Sequence, residues 1–183
     1  MSLQNERRKN WQQLVAKVRD EFAQLDASER DWIATTCSQI GRLQNQLDQL
    51  FRQADGLAQC RDCRGDCCAL GHNHLTLANL LLWFSQNIDL PDLDFTSTCP
   101  LLSPEGCILP AEQRPYSCIS FLCDRLEGQL QPQAVESFYA LERELRCLYH
   151  SFAERYAGGR LTGLLLTAQR LQEKPFLQRI DSA

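Results

Sequence analysis

Eight of the ten cysteines in this chain fall between Cys60 and Cys123, and four of those lie within the nine residues from Cys60 to Cys68. In a reducing compartment disulfides do not persist, so thiols gathered this densely point to metal or redox chemistry. In an exported protein the same even count would suggest a disulfide framework. The stretch Met1–Asn10 is polar and lacks the apolar core of a signal peptide. The most apolar run, Leu75 to Phe84, falls far short of the ~20 residues that cross a bilayer. The expectation is therefore a cytoplasmic protein, with no membrane partner, whose cysteines hold a metal.

The spacing indicates how they would do so. Cys60, Cys63, Cys67 and Cys68 read C-x2-C-x3-C-C. A C-x2-C step lets two sulfurs reach one ion from a tight loop, so Cys60 and Cys63 are expected to share a site. Neighbouring side chains usually diverge, which assigns Cys67 and Cys68 to different sites or leaves one of them packing. The remaining ligands come from Cys99, Cys107, Cys118 and Cys123. Pro104 and Gly106 suit a turn that would bring Cys99 and Cys107 together. Cys118 and Cys123 would stand about 140° apart on a regular helix, so they serve one ion only if the helix ends between them; Cys118 is the stronger candidate of the two. His72 and His74 follow the first cysteine group, and either imidazole would be a competent zinc ligand. Outside the segment, Cys37 lies on an apolar stripe with Ile33 and Ile40 and is expected in the core. Cys147, beside polar neighbours, reads as an ordinary thiol.

Filled thiolate sites stay anionic, since four thiolates around Zn²⁺ leave a formal charge of about −2. Arg114 is expected to offset that charge from outside the ligand set, with Arg61 or Arg64 as further candidates. The chain as a whole carries a formal net charge of −4, which gives no general attraction to nucleic acid or anionic lipid.

Around this segment the pattern is helical. Trp11, Leu14, Val15, Val18, Phe22 and Leu25 form one stripe; Ile33, Ile40, Leu43, Leu47, Leu50 and Phe51 form a second. The link at Asp26–Ser28 suggests an antiparallel hairpin whose second helix starts at Ser28. Residues 1–56 are thus a helical arm, suited to covering a core, to self-association or to a protein partner. Residues 57–128 are the cysteine-rich region, irregular from Cys60 to Asn73. It contains a helix capped by Thr76 and running to Phe84, with Leu75 and Leu80 as a hydrophobic staple, and another helix after Pro115. Residues 129–183 return to helix after Pro132, are broken at Gly158-Gly159, and resume through Leu161 to Leu171. On this helix Glu142 and Glu144 read as a solvated face. The expected fold class is all-α, with helices around an irregular metal-binding centre and at most one small β-hairpin.

The ordered set Cys60-x2-Cys63-x3-Cys67-Cys68, Cys99-Pro100-Leu101-Leu102, Gly106-Cys107 and Arg114-Pro115-x2-Cys118 resembles the CxxCxxCC-type zinc- or iron-chelating domain family. The resemblance covers roughly Cys60 to Cys123 and implies ligand positions at Cys60, Cys63, Cys67, Cys68, Cys99, Cys107 and Cys118. The chain departs from the family at Ile108-Leu109-Pro110, where an aromatic residue is usual, and at Ile119, where arginine is common. The interval from Cys107 to Arg114 is one residue longer. Flagellin lysine N-methylase is similar in carrying such a cysteine domain, which implies a methyltransferase-type alternative without assigning any residue to it.

Cysteine ligation serves zinc and iron–sulfur centres alike. Two zinc knuckles would normally show two C-x2-C steps, and only one is present, so the reading leans slightly to an iron–sulfur cluster over Zn²⁺. No G-x-S-x-G, P-loop, G-x-G-x-x-G or H-E-x-x-H occurs. The sequence therefore points to a metal-binding protein with a structural or regulatory role. A redox or transferase enzyme and a metal carrier stand as the alternatives, and no reaction is named.

Overall fold

The computed structural model describes residues 3–63, 67, 71 and 73–180. It is all-α with one two-stranded hairpin, as the periodicity predicts. Helix α1 (Leu3–Ala23) buries Trp11, Leu14, Val15 and Val18 on one stripe. Helix α2 (Ala27–Gln53) buries Ile33, Cys37, Ile40, Gln44 and Leu47 at alternating steps of four and three, the signature of one helical face against a core. Its start differs from expectation. Asp26, not Ser28, caps the helix: its Oδ1 accepts the Glu29 amide at 2.8 Å and the Ser28 hydroxyl at 2.7 Å. Aspartate is as good an N-cap as serine, and its carboxylate adds a charge-assisted bond at the positive helix end.

The run expected to be irregular from Cys60 begins inside a short helix, α3 (Gly56–Asp62). Asp55, in the left-handed conformation at φ 51°, separates it from α2; aspartate tolerates that region better than most residues. Helix α4 (Leu77–Ser85) buries Leu77 to Trp83 without interruption, so it lies within the molecule rather than along its surface. Strands β1 (Leu102–Ser103) and β2 (Gly106–Cys107) pair antiparallel with Leu102 opposite Cys107. Gly106 turns the hairpin at φ 118°, a conformation that side chains disfavour. A turn of 3-10 helix (Ala111–Gln113) leads into α5 (Tyr116–Ile119), α6 (Asp124–Glu127), the long α7 (Pro132–Arg155) and α8 (Leu164–Leu171).

Helix α2 packs chiefly on α7, and also on α4 and the 3-10 turn, while α1 packs on α4 and α8. Helix α7 buries Phe138, Glu142, Leu145, Tyr149 and Phe152. Glu142 therefore departs from its expected solvated position, whereas Glu144 is exposed. The steps 138, 142, 145, 149 and 152 share one face, and the carboxylate is tolerated there because Tyr116 and Arg146 both donate to it. At the opposite end of α7, Arg155 lies 4.2 Å from the Trp32 ring centroid and donates from Nε to Glu29 at 2.8 Å. Among the described residues, no helix is long and apolar enough to cross a membrane.

Candidate metal centre

The helical frame holds the cysteine-bearing loops through directed hydrogen bonds. The 3-10 turn is fastened to α4 twice: Asn79 Nδ2 donates to the Gln113 carbonyl at 3.1 Å, and Trp83 Nε1 donates to Gln113 Oε1 at 3.0 Å. One residue on, Gln44 of α2 donates to the Arg114 carbonyl at 2.6 Å. Pro115 then begins α5, with the Cys118 amide bonded to the Pro115 carbonyl at 2.9 Å. Cys118 is thereby fixed relative to both α2 and α4. Helix α5 ends at Ile119, so Cys118 and Cys123 belong to different elements. Cys123 is the residue that opens α6, which packs beside α3 and its Cys60.

The thiols fall into two neighbourhoods, with Cys67 felt by Cys60 and by Cys118 alike. Burial pushes Cys60 up to about 11, and the nearby charges of Cys63, Cys67 and Cys123 push the same way. The Cys63 thiol donates to the Cys60 carbonyl at 3.4 Å. In the other neighbourhood, protein packed around the sulfur pushes Cys118 up to about 12 although the residue as a whole is exposed, and Cys107 and Cys99 raise it further. Cys99 is buried and raised by burial, with Cys107 adding to the effect. His74 Nδ1 lies 3.2 Å from Cys118 Sγ. A β-carbon at Gly71 would stand 2.8 Å from Cys99 Sγ and 3.7 Å from His74 Nδ1, so the sulfur and the ring nitrogen flank the same bare stretch of backbone.

Arg114 serves both neighbourhoods. Its charge lowers Cys60 and Cys118 alike, though in each case less than burial raises them. Its guanidinium donates to the Leu109 carbonyl at 3.2 Å and lies 3.4 Å from Asp48. It is oriented by oxygen acceptors, while its field reaches the thiols. Arg61 is exposed on α3, and Arg64, Cys68 and His72 lie outside the described residues. Cys37 is fully buried and pushed up to about 12 by that burial, as suits a core residue, and Cys147 is exposed.

Soft thiolates with one imidazole are a donor set that fits zinc or an iron–sulfur centre and does not fit calcium or magnesium. Among the described residues, no three such donors already surround a common point that an ion would occupy. The loops bring the donors into neighbourhoods without closing them into a finished cage. Residue spacing did not single out His74 over His72; its contact with Cys118 arises from tertiary packing. No family model, no curated protein and no solved structure matches this chain, so the resemblance to the CxxCxxCC-type chelating domain rests on the cysteine pattern itself.

Proposed function

We propose that this chain is a cytoplasmic metal-binding protein that holds zinc or an iron–sulfur cluster through clustered cysteine thiolates, in a structural or regulatory role. The ligands are drawn from Cys60, Cys63, Cys67, Cys68, Cys99, Cys107, Cys118 and Cys123. The observation that carries the reading is the gathering of thiols from separate elements: Cys60 of α3 with Cys123 at the start of α6, and Cys118 of α5 with Cys99 and Cys107 of the hairpin region. Buried thiols that raise one another's pKa are costly to ionise alone. A bound cation reverses that cost, because it neutralises the thiolates as they form.

The test is the metal and acid-labile sulfide content of protein purified without oxygen, with its visible absorption spectrum. Iron with matching sulfide means a cluster; zinc without sulfide means a structural site. Cys60→Ser or Cys63→Ser is expected to lower the bound metal by at least half. Protein that carries no stoichiometric metal, or a Cys60→Ser variant with unchanged content, overturns the assignment.

A further inference from the structure

The geometry points to two separate centres: Cys60, Cys63, Cys67 and Cys123 hold one metal, while His74, Cys99, Cys107 and Cys118 hold a second, a single tetrahedral divalent ion of the zinc type. This rests on the metal-binding reading above and adds to it a division of ligands and a histidine donor.

The second centre is the better defined. In a tetrahedral site with zinc–sulfur and zinc–nitrogen bonds of about 2.3 and 2.0–2.1 Å, two ligand atoms on one ion stand roughly 3.5 Å apart. His74 Nδ1 and Cys118 Sγ already stand at 3.2 Å. In a four-iron cluster each iron takes one terminal ligand, so two donor atoms in contact suit a single ion better. Cys99 Sγ lies beside the same point: a β-carbon on Gly71 would stand 2.8 Å from it and 3.7 Å from His74 Nδ1. A side chain on Gly71 would occupy the space in which these donors meet, and glycine leaves it open. Cys107 completes the set through the hairpin: Leu102 bonds back to the Cys99 carbonyl at 3.1 Å, and Ile108 bonds to the Leu101 carbonyl at 2.9 Å. The two sulfurs are thus tied to opposite ends of one small closed turn.

The first centre is assembled by the packing of α3 on α6. Cys60 and Cys63 are three residues apart across the end of α3, and Cys123 opens α6 beside them.

The experiment uses the full chain, stripped of metal under anaerobic conditions and titrated with Co²⁺ and, separately, Zn²⁺. Bound equivalents are counted by mass spectrometry under native conditions, and cobalt absorption reports the donor atoms. Wild type is expected to bind two equivalents. His74→Ala and Cys118→Ser are each expected to bind one, with a far-ultraviolet circular dichroism spectrum like that of wild type. His74→Cys is expected to restore the second equivalent, its cobalt bands shifted as a fourth sulfur replaces nitrogen. Cys123→Ser is expected to lose the other equivalent while X-ray absorption still shows histidine nitrogen on the metal that stays. Two equivalents and unchanged cobalt bands in His74→Ala overturn the histidine assignment. Simultaneous loss of all metal in each single variant overturns the division into two centres. Wild type that binds no metal overturns the underlying reading itself.

Discussion

Glu29 shows how a single charged residue governs the end of the molecule remote from the cysteines. It is buried, 6% exposed, yet accepts from Arg155 of α7 and from Arg179 near the chain end. These contacts hold its carboxyl below the usual carboxylate range, the Arg155 hydrogen bond contributing most and burial opposing it. A carboxylate whose pKa is depressed in the folded state adds stability above its unfolded pKa and loses it as pH falls through the folded value. Glu29→Gln is therefore expected to destabilise the protein by about 1–2 kcal/mol near neutral pH, a range discounted for the partial exposure of both arginines. Denaturant unfolding of both proteins across pH checks this. The difference should shrink as pH falls below about 4.5 and through the acid range; a difference independent of pH would assign the effect to packing. Neither Glu29 nor Glu142 was legible as buried, because a carboxylate on a helical stripe looks like solvated charge until its partners are known. Those partners, Arg155 and Tyr116, come from distant parts of the chain. Cys37 was legible because its apolar neighbours at 33 and 40 share the stripe.

The long helices were legible from periodicity, and their caps less so. Helix α4 illustrates both. Its apolar run and Thr76 marked its position, and the helix begins at Leu77 as those signals imply. The residue that joins it to the site is Asn79, whose Oδ1 accepts from the Thr76 amide at 2.9 Å and its hydroxyl at 3.0 Å. The Asn79 Nδ2 group meanwhile holds the Gln113 carbonyl. Asn79→Ala leaves buried polar groups without partners at both places, which costs about 2–3 kcal/mol. Thr76→Ala removes one cap hydroxyl and is expected to cost about 1 kcal/mol. Thermal or denaturant unfolding should rank them in that order, and equal costs would mean that the bond to Gln113 adds nothing. Helices α3 and α6 were not legible. With seven and four residues, they are too short to show a period, and each is fixed by what it packs against. The nearness of Cys123 to Cys60 was hidden for the same reason.

At the scale of the whole molecule, helices from both ends of the chain enclose the frame on which the cysteine loops are mounted. The largest fully buried side chains include Trp83, Tyr156, Phe138, Phe152, Phe176, Ile33 and Ile40. These belong to the helices and the C-terminal segment; Leu101, beside Cys99, is the fully buried large side chain that the cysteine loops add. Hydrophobic burial of that kind does not depend on a metal. The loops around Cys60, Cys107 and Cys118 have less to hold them: Cys60 and Cys107 are half-buried, Leu57, Ile108 and Phe121 are exposed, and the local helices are single turns or little more. Regions with few buried apolar contacts open at lower free energy than the global transition, and a metal that binds only their folded form stabilises them selectively. Anaerobic removal of metal with a chelator is therefore expected to leave most of the helical circular dichroism in place. Limited proteolysis should then cut in the cysteine loops, before α4 near Cys60 or after the hairpin near Cys107 and Cys118, and restored metal should restore protection. Loss of the whole helical signal on chelation would show instead that frame and centre fold as one unit, with the metal as a condition for both.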